Sequence, residues 1–213
     1  MPRSAARSST TDAERRAEHA ATELLRDFEA RFDVGPVPPV PVERIAESYL
    51  GLLIEEIDDV RALPGAAAEQ GALSGMFDPD TQTIWLDRRE AARSRGRRRF
   101  TIAHECGHRV LHAPQLVRLA CTPADIGDMP PFEPGDARQL QRREAEAHAF
   151  AQALLMPEIL INQHVKETGC NLPALAARFD VSVPAMRLRL TKLGLVLTGM
   201  SRIPVVGETG ADR

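Results

Sequence analysis

One tyrosine, one tryptophan and three cysteines (Cys106, Cys121 and Cys170) are all that 213 residues contain of those types. Three scattered cysteines exclude a disulfide framework, and a reducing cytoplasm is the simplest compartment for them. No apolar run approaches the ~20 residues needed to span a bilayer, so no membrane partner is expected. Met1 to Arg16 is rich in Ser, Ala and Arg but lacks an apolar centre, which excludes a secretory signal. Excess positive charge is missing too: a net charge of −3 argues against a whole-surface nucleic-acid binder, though not against a local basic face. A composition 43% hydrophobic and 27% charged is that of an ordinary globular protein with ample core. The length fits one domain, or one domain with a small appendage.

What is present is concentrated in Phe100-Thr101-Ile102-Ala103-His104-Glu105-Cys106-Gly107-His108-Arg109-Val110-Leu111-His112. A His-Glu-x-x-His core lies there inside a run of helical period. Residues four apart share one helix face, so His104 and His108 can offer a ring nitrogen to one metal ion. At about 100° per residue Glu105 falls roughly 60° from His108, close enough to act on a water at the metal without ligating it. Cys106 falls roughly opposite His104 and faces away. Such a five-residue pattern recurs by chance on amphipathic helices. Here the neighbours Ile102, Ala103, Gly107, Val110 and Leu111 bury the helix, and buried histidines need partners.

The rest of the chain reads as an α+β fold. Its small, mostly antiparallel three-stranded sheet packs on a zinc-binding helical core, and a C-terminal helical, helix-turn-helix-like subdomain follows. Thr11 or Asp12 caps a first helix with an apolar stripe of Leu24, Leu25, Phe28 and Phe32, ended by Gly35-Pro36-Val37-Pro38-Pro39. Pro41 opens a second helix burying Val42, Ile45, Ala46 and Tyr49, and Gly51 closes it. Residues 52–57 read as a strand, 62–71 as a loop, and 72–77 with 83–87 as a hairpin about Asp78-Pro79-Asp80-Thr81-Gln82. An exposed sheet edge can hold an extended peptide by backbone hydrogen bonds, although a sheet that only packs the helix is as good a reading. The seven arginines from Arg88 to Arg99 suggest a nucleic-acid patch or, with Glu90 offsetting charge and no aromatic interleaved, a solvated lead-in to the helix. The proline-rich stretch 114–136 reads as a long irregular loop able to border a cleft.

A catalytic zinc commonly takes three protein ligands and one open position, so a third ligand is needed. On the next helix, Ala137 to Met156, Glu144 and His148 lie near one face and Glu146 points to the opposite side. Glu144 is the chosen ligand and His148 its competitor, with a supporting role the alternative use of His148. His112 lies eight residues beyond His104, about 12 Å along the axis, too far to share one ion, and is read as a supporting histidine.

Arg99-Phe100-Thr101-Ile102-Ala103-His104-Glu105-Cys106-Gly107-His108, followed by Leu111-His112, resembles the signature of the ImmA/IrrE zinc metallopeptidases. Glu144 to Pro157 resembles the same family's Glu-x-x-Ala-x-x-Phe-Ala…Leu-Leu-Met-Pro helix. Over residues 40–197 the resemblance implies a cytoplasmic zinc endopeptidase with ligands His104, His108 and Glu144, one Zn2+ per chain, and Glu105 as general base. His148 departs from the family, where Asn or Asp is common. The implied substrate is a repressor-type regulator of mobile-element or stress-response genes. Leu172 to Leu190 resembles a helix-turn-helix, with Asp180-Val181-Ser182 the turn and Arg187, Arg189 and Lys192 on the second helix. From this comes the alternative: a DNA-binding transcriptional regulator with a sensory or vestigial metal site. The expected layout is a peptidase domain at 12–157, a C-terminal helical subdomain at 158–197, and flexible tails at 1–11 and 198–213.

Overall fold

Helix α1 (Asp12–Phe32) starts at Thr11, whose hydroxyl accepts from the Glu14 amide at 3.2 Å while the Glu14 carboxylate accepts from the Thr11 amide at 2.7 Å. This reciprocal capping satisfies two of the amides a helix start leaves open. The helix ends at Asp33, in left-handed conformation (φ 50°), with its N–H on the Glu29 carbonyl. Asp33, and not the Gly35–Pro39 run expected to stop it, is the terminator. The computed structural model describes residues 11–63, 74–112, 119–121 and 137–195. The second helix, α2 (Val42–Arg44), passes into a π-helical turn at Ile45–Tyr49, and Gly51 (φ 69°) redirects the chain into the sheet.

The three expected strands are present as β1 (Leu53–Ile57), β2 (Gly75–Asp78) and β3 (Thr83–Asp87). A fourth, β4 (Leu119–Cys121), joins them in the order β1-β3-β2-β4. The sheet is mostly antiparallel as expected, β2 pairing so with both β3 and β4, while β1 runs parallel to β3. The expected count of three strands is corrected to four. Part of the 114–136 stretch is a strand and not a loop. Three residues are too few to display an alternating pattern, and it is the edge of β2 that supplies their hydrogen bonds. The rest of that stretch, most of the 62–71 loop, residues 1–10 and the 198–213 tail lie outside the described residues.

Asp87 caps α3 (Arg88–Arg93) by accepting from the amides of Arg89 and Glu90, and α4 (Arg95–His112) follows. Helix α5 (Ala137–Leu155) packs on both α1 and α4. At the α4–α5 contact, a Cβ built on Gly107 would lie 3.1 Å from the Ala147 Cα and 3.2 Å from the Phe150 ring. Only glycine allows that approach without displacing α5 backbone. Gly107→Ala is therefore expected to cost ~1–3 kcal/mol, the usual cost of overpacking, seen as a lower melting temperature of the metal-free protein.

The basic run is used internally. Six of its seven arginines form ion pairs: Arg88 with Asp58, Arg93 and Arg97 with the buried Glu90, Arg95 with Asp180, Arg98 with Glu43 and Glu56, and Arg99 with Glu43 and Asp180. Buried Arg99 also donates to the Val40 carbonyl at 2.7 Å. Most of this charge ties α4 to α2, β1 and the last helices, instead of being presented to solvent.

After α6 (Glu158–Thr168), helices α7 (Leu172–Phe179) and α8 (Val183–Lys192) are joined by Asp180-Val181-Ser182. The pair packs on the core through Phe179, Met186 and Leu190. Arg189 is buried, donating to the Met156 carbonyl at 3.1 Å and to Glu18 at 3.0 Å, and Lys192 lies 3.8 Å from Glu14. Of the three cations that a DNA-reading second helix would use, Arg187 is exposed and the other two are turned inward.

Candidate metal centre

Burial along α4 is continuous from Thr101 to His108, so its polar groups must find partners inside the protein. They find them on α5. His104 Nε2 lies 3.1 Å from Glu144 Oε2, His108 Nε2 lies 3.2 Å from Glu144 Oε1, and the two ring nitrogens are 3.0 Å apart. One ligand atom from each of the three residues falls within 4.8 Å of the others. Two ligands on a tetrahedral zinc with bonds near 2.0–2.1 Å are roughly 3.3 Å apart, so this spacing fits one ion. The donor set fits as well, since two imidazoles and one carboxylate leave a position open. Burial pushes the Glu144 carboxyl up, but His108 and His104 outweigh it and hold it well below the usual carboxylate range, keeping it anionic.

Glu105 is fully buried beside this cluster and is not one of its three converging residues. Cys106 is also fully buried within the hydrophobic core, and burial raises its thiol well above the ordinary value, so it is inert. His148 does not join the cluster: its ring packs against Phe100 at 4.9 Å, tilted by 58°, and stays 6.4 Å from the His104 ring.

His112 sits behind the cluster in a directed chain. His108 Nδ1 lies 3.2 Å from His112 Nδ1, His112 Nε2 lies 3.0 Å from Glu146 Oε2, and Arg142 Nε donates to Glu146 Oε1 at 3.1 Å. Burial raises the Glu146 carboxyl, but His112 and Arg142 overcome this and hold it below its ordinary value; burial lowers the His112 imidazole. An anionic Glu146 accepts from His112 Nε2–H. A neutral His112 then has its lone pair on Nδ1 and accepts from His108 Nδ1–H. With its Nδ1–H donated to His112, His108 is in the tautomer that could offer Nε2 to a metal ion. The chain thus favours that tautomer from the Glu146 end.

Glu146, expected to point away, is therefore corrected: it engages His112. The angular argument treats a side chain as a stub at its Cα, whereas a glutamate reaches across a helix flank. Sequence reasoning missed Glu146 and Arg142. The signal that could have found them is His112 itself, a buried histidine for which no partner had been assigned.

His148 gives a pH prediction. Burial lowers its imidazole from 6.5 to about 3, so the folded chain keeps it neutral while the unfolded chain takes up a proton below about 6.5. The resulting stability is complete above that value and is lost as pH falls through the window between the two. The melting temperature of the metal-free protein should fall between pH 7 and pH 5, and His148→Asn should fall less steeply. Equal slopes would rule out His148 as a source.

A peptidase family model, described as the IrrE N-terminal-like domain, matches residues 59–191. The radiation response metalloprotease IrrE of Deinococcus radiodurans is 34% identical over 176 residues, which make up 81% of this chain and 46% of that protein. The chain thus spans about half the length of that relative. A Mycobacterium tuberculosis transcriptional regulator superposes with a TM-score of 0.50 at 19% identity, over 86% of this chain and 48% of that one, a likeness of fold alone. No described helix is long and apolar enough to cross a membrane. With the family model covering most of the chain, including both helices of the site, the chain belongs to the ImmA/IrrE metallopeptidase family.

Proposed function

We propose that this protein is a zinc-dependent endopeptidase in which His104, His108 and Glu144 hold one ion and Glu105 is the general base. The observation that carries this reading is the convergence of those three residues' ligand atoms within 4.8 Å, with Glu105 buried beside them. A closed structural zinc is the poorer account, because such sites use four Cys or His ligands and Cys106 lies in the core. A zinc ion held by these three residues would supply Lewis-acid activation of a water and of the scissile carbonyl. Glu105 takes the proton of the attacking water and passes it to the leaving amine. Of the two supporting histidines, His112 has both ring nitrogens engaged, which leaves His148 to stabilise the oxyanion.

The substrate in this reading is a repressor-type regulatory protein in the cytoplasm, its extended segment added to an edge of the sheet. The internal pairing of Arg189 and Lys192 weighs against the DNA-binding alternative. Two measurements test the proposal. Metal analysis should find one zinc per chain, removable by a chelator together with activity. Comparative proteomics of cells expressing wild type or Glu105→Gln should show a regulator lost only with wild type. A promoter-DNA shift that survives loss of His104 and His108, with no such protein lost, would favour the alternative.

A further inference from the structure

A pocket of about 340 Å³ opens one helical turn from the metal centre. Its walls come from α4 (Arg97 and Phe100), α5 (His148 and Gln152) and the start of α8 (Ala185 and Leu188). Phe100 precedes His104 by four residues and His148 follows Glu144 by four, so on both helices the pocket lies about 5–6 Å along the axis from a metal-centre residue. The rings of Phe100 and His148 pack together at 4.9 Å, tilted by 58°, and each lies 6.4 Å from the His104 ring.

Three features indicate what the pocket takes. Phe100, Ala185 and Leu188 give it an apolar body, and Leu188 is 43% exposed, a large hydrophobe left uncovered at the rim. Among the described residues its one permanent charge, Arg97, is already paired with Glu90 at 3.0 Å, so that lining carries no free charge to match one on a ligand. Gln152 is 2% exposed, yet its side-chain oxygen accepts no hydrogen bond. A buried amide oxygen without a donor is unfavourable, and a ligand that supplies the donor removes that cost.

We propose that this pocket receives the side chain of the substrate residue next to the scissile bond, and that it selects a large uncharged side chain, with glutamine suited by an amide that can pair with Gln152. Peptide residues advance ~3.3 Å along an extended chain, so a residue adjoining a bond held at the metal can place its side chain one helical turn away. The volume exceeds that of any single side chain, leaving room for Leu, Met, Phe or Gln together with water. This inference rests on the peptidase reading above.

The test uses the full chain loaded with zinc, a mixed library of unstructured peptides, and mass-spectrometric assignment of cleavage sites. Wild type should cleave with one position beside the scissile bond enriched in Leu, Met, Phe and Gln and depleted of Asp, Glu, Lys and Arg. Ala185→Phe, which fills the pocket from α8, should lower cleavage of the large-residue peptides at least 10-fold while retaining those with Ala or Ser there. Gln152→Glu should move the preference towards Lys and Arg, because the buried carboxylate then asks for a cation. Melting curves exclude variants that fail to fold, and the two substitutions sit on different helices, so one can stand if the other does not. If wild type cleaves, Glu105→Gln does not, and both folded pocket variants keep the wild-type preference, the pocket assignment is overturned while the peptidase reading stands. If zinc-loaded wild type cleaves no peptide and no protein, the peptidase reading falls and the pocket assignment falls with it.

Discussion

Glu105→Gln keeps its fold and its zinc and loses about 10²–10⁴-fold in peptide hydrolysis, the range of a general acid–base contribution. The substitution is isosteric, so the fully buried site on α4 is not left with a cavity. Glu105 is outside the group of converging ligand atoms, so metal affinity should change little. What the amide cannot do is take a proton from water and return it to the leaving amine. The separation of binding from turnover is the diagnostic part. Zinc stoichiometry and melting temperature should match wild type while the rate collapses. Near-normal cleavage by the variant would end the proposed mechanism, and loss of zinc would make Glu105 a ligand instead of a base.

The second large effect is graded loss of metal along the chain from Glu144 to Glu146. Glu144→Ala removes one of the three proposed ligands and the anion between two imidazoles, and should release zinc almost completely. His112→Phe leaves all three proposed ligands in place but removes the acceptor for the His108 Nδ1–H. It should weaken zinc by roughly 10–100-fold, the usual cost of losing a group that orients a ligand. Glu146→Gln should fall on the same side but nearer wild type, because an amide can still accept from His112. Competition titration with a chromogenic chelator measures all three, and melting of the metal-free proteins separates affinity from folding. If His112→Phe binds zinc as tightly as wild type, the directed chain has no function in metal binding.

The outcome at particular residues shows what could be read in advance. His104 and His108 were placed on one face by spacing, because helical period acts locally and four residues make one turn wherever the helix sits. Cys106 was turned away from that face by the same arithmetic, and the first cap was narrowed to Thr11 or Asp12 by local hydrogen-bonding chemistry. Helices 172–179 and 183–192 were legible from the resemblance of the segment to a helix-turn-helix with Asp180-Val181-Ser182 as its turn; Asn171 and Ser182 cap them. Each of these depends on residues within a few positions of one another.

Glu146, β4, the parallel pairing of β1 and the arginine run went differently. Arg95 and Arg99 meet Asp180 across some eighty residues of sequence, and Arg98 meets Glu43 and Glu56, so charges that look like a solvated or nucleic-acid face become braces. No local pattern announces such a pairing, because Coulomb attraction is decided by distance in space. β4 has three residues and no period; its hydrogen bonds come from β2, more than forty positions earlier.

By itself, then, the sequence determined the chemistry available to this protein: a two-histidine helix, a glutamate beside it, and a second helix carrying carboxylates and a histidine. Tertiary structure alone decided which of those carboxylates meets which histidine. Packing α5 against α4 at Gly107 puts Glu144 against His104 and His108 while Glu146 engages His112, and leaves His148 against Phe100 at the wall of a pocket. The reason is physical. Spacing along a helix sets the direction of a side chain, whereas contact between two helices depends on their crossing and separation, which the whole core sets.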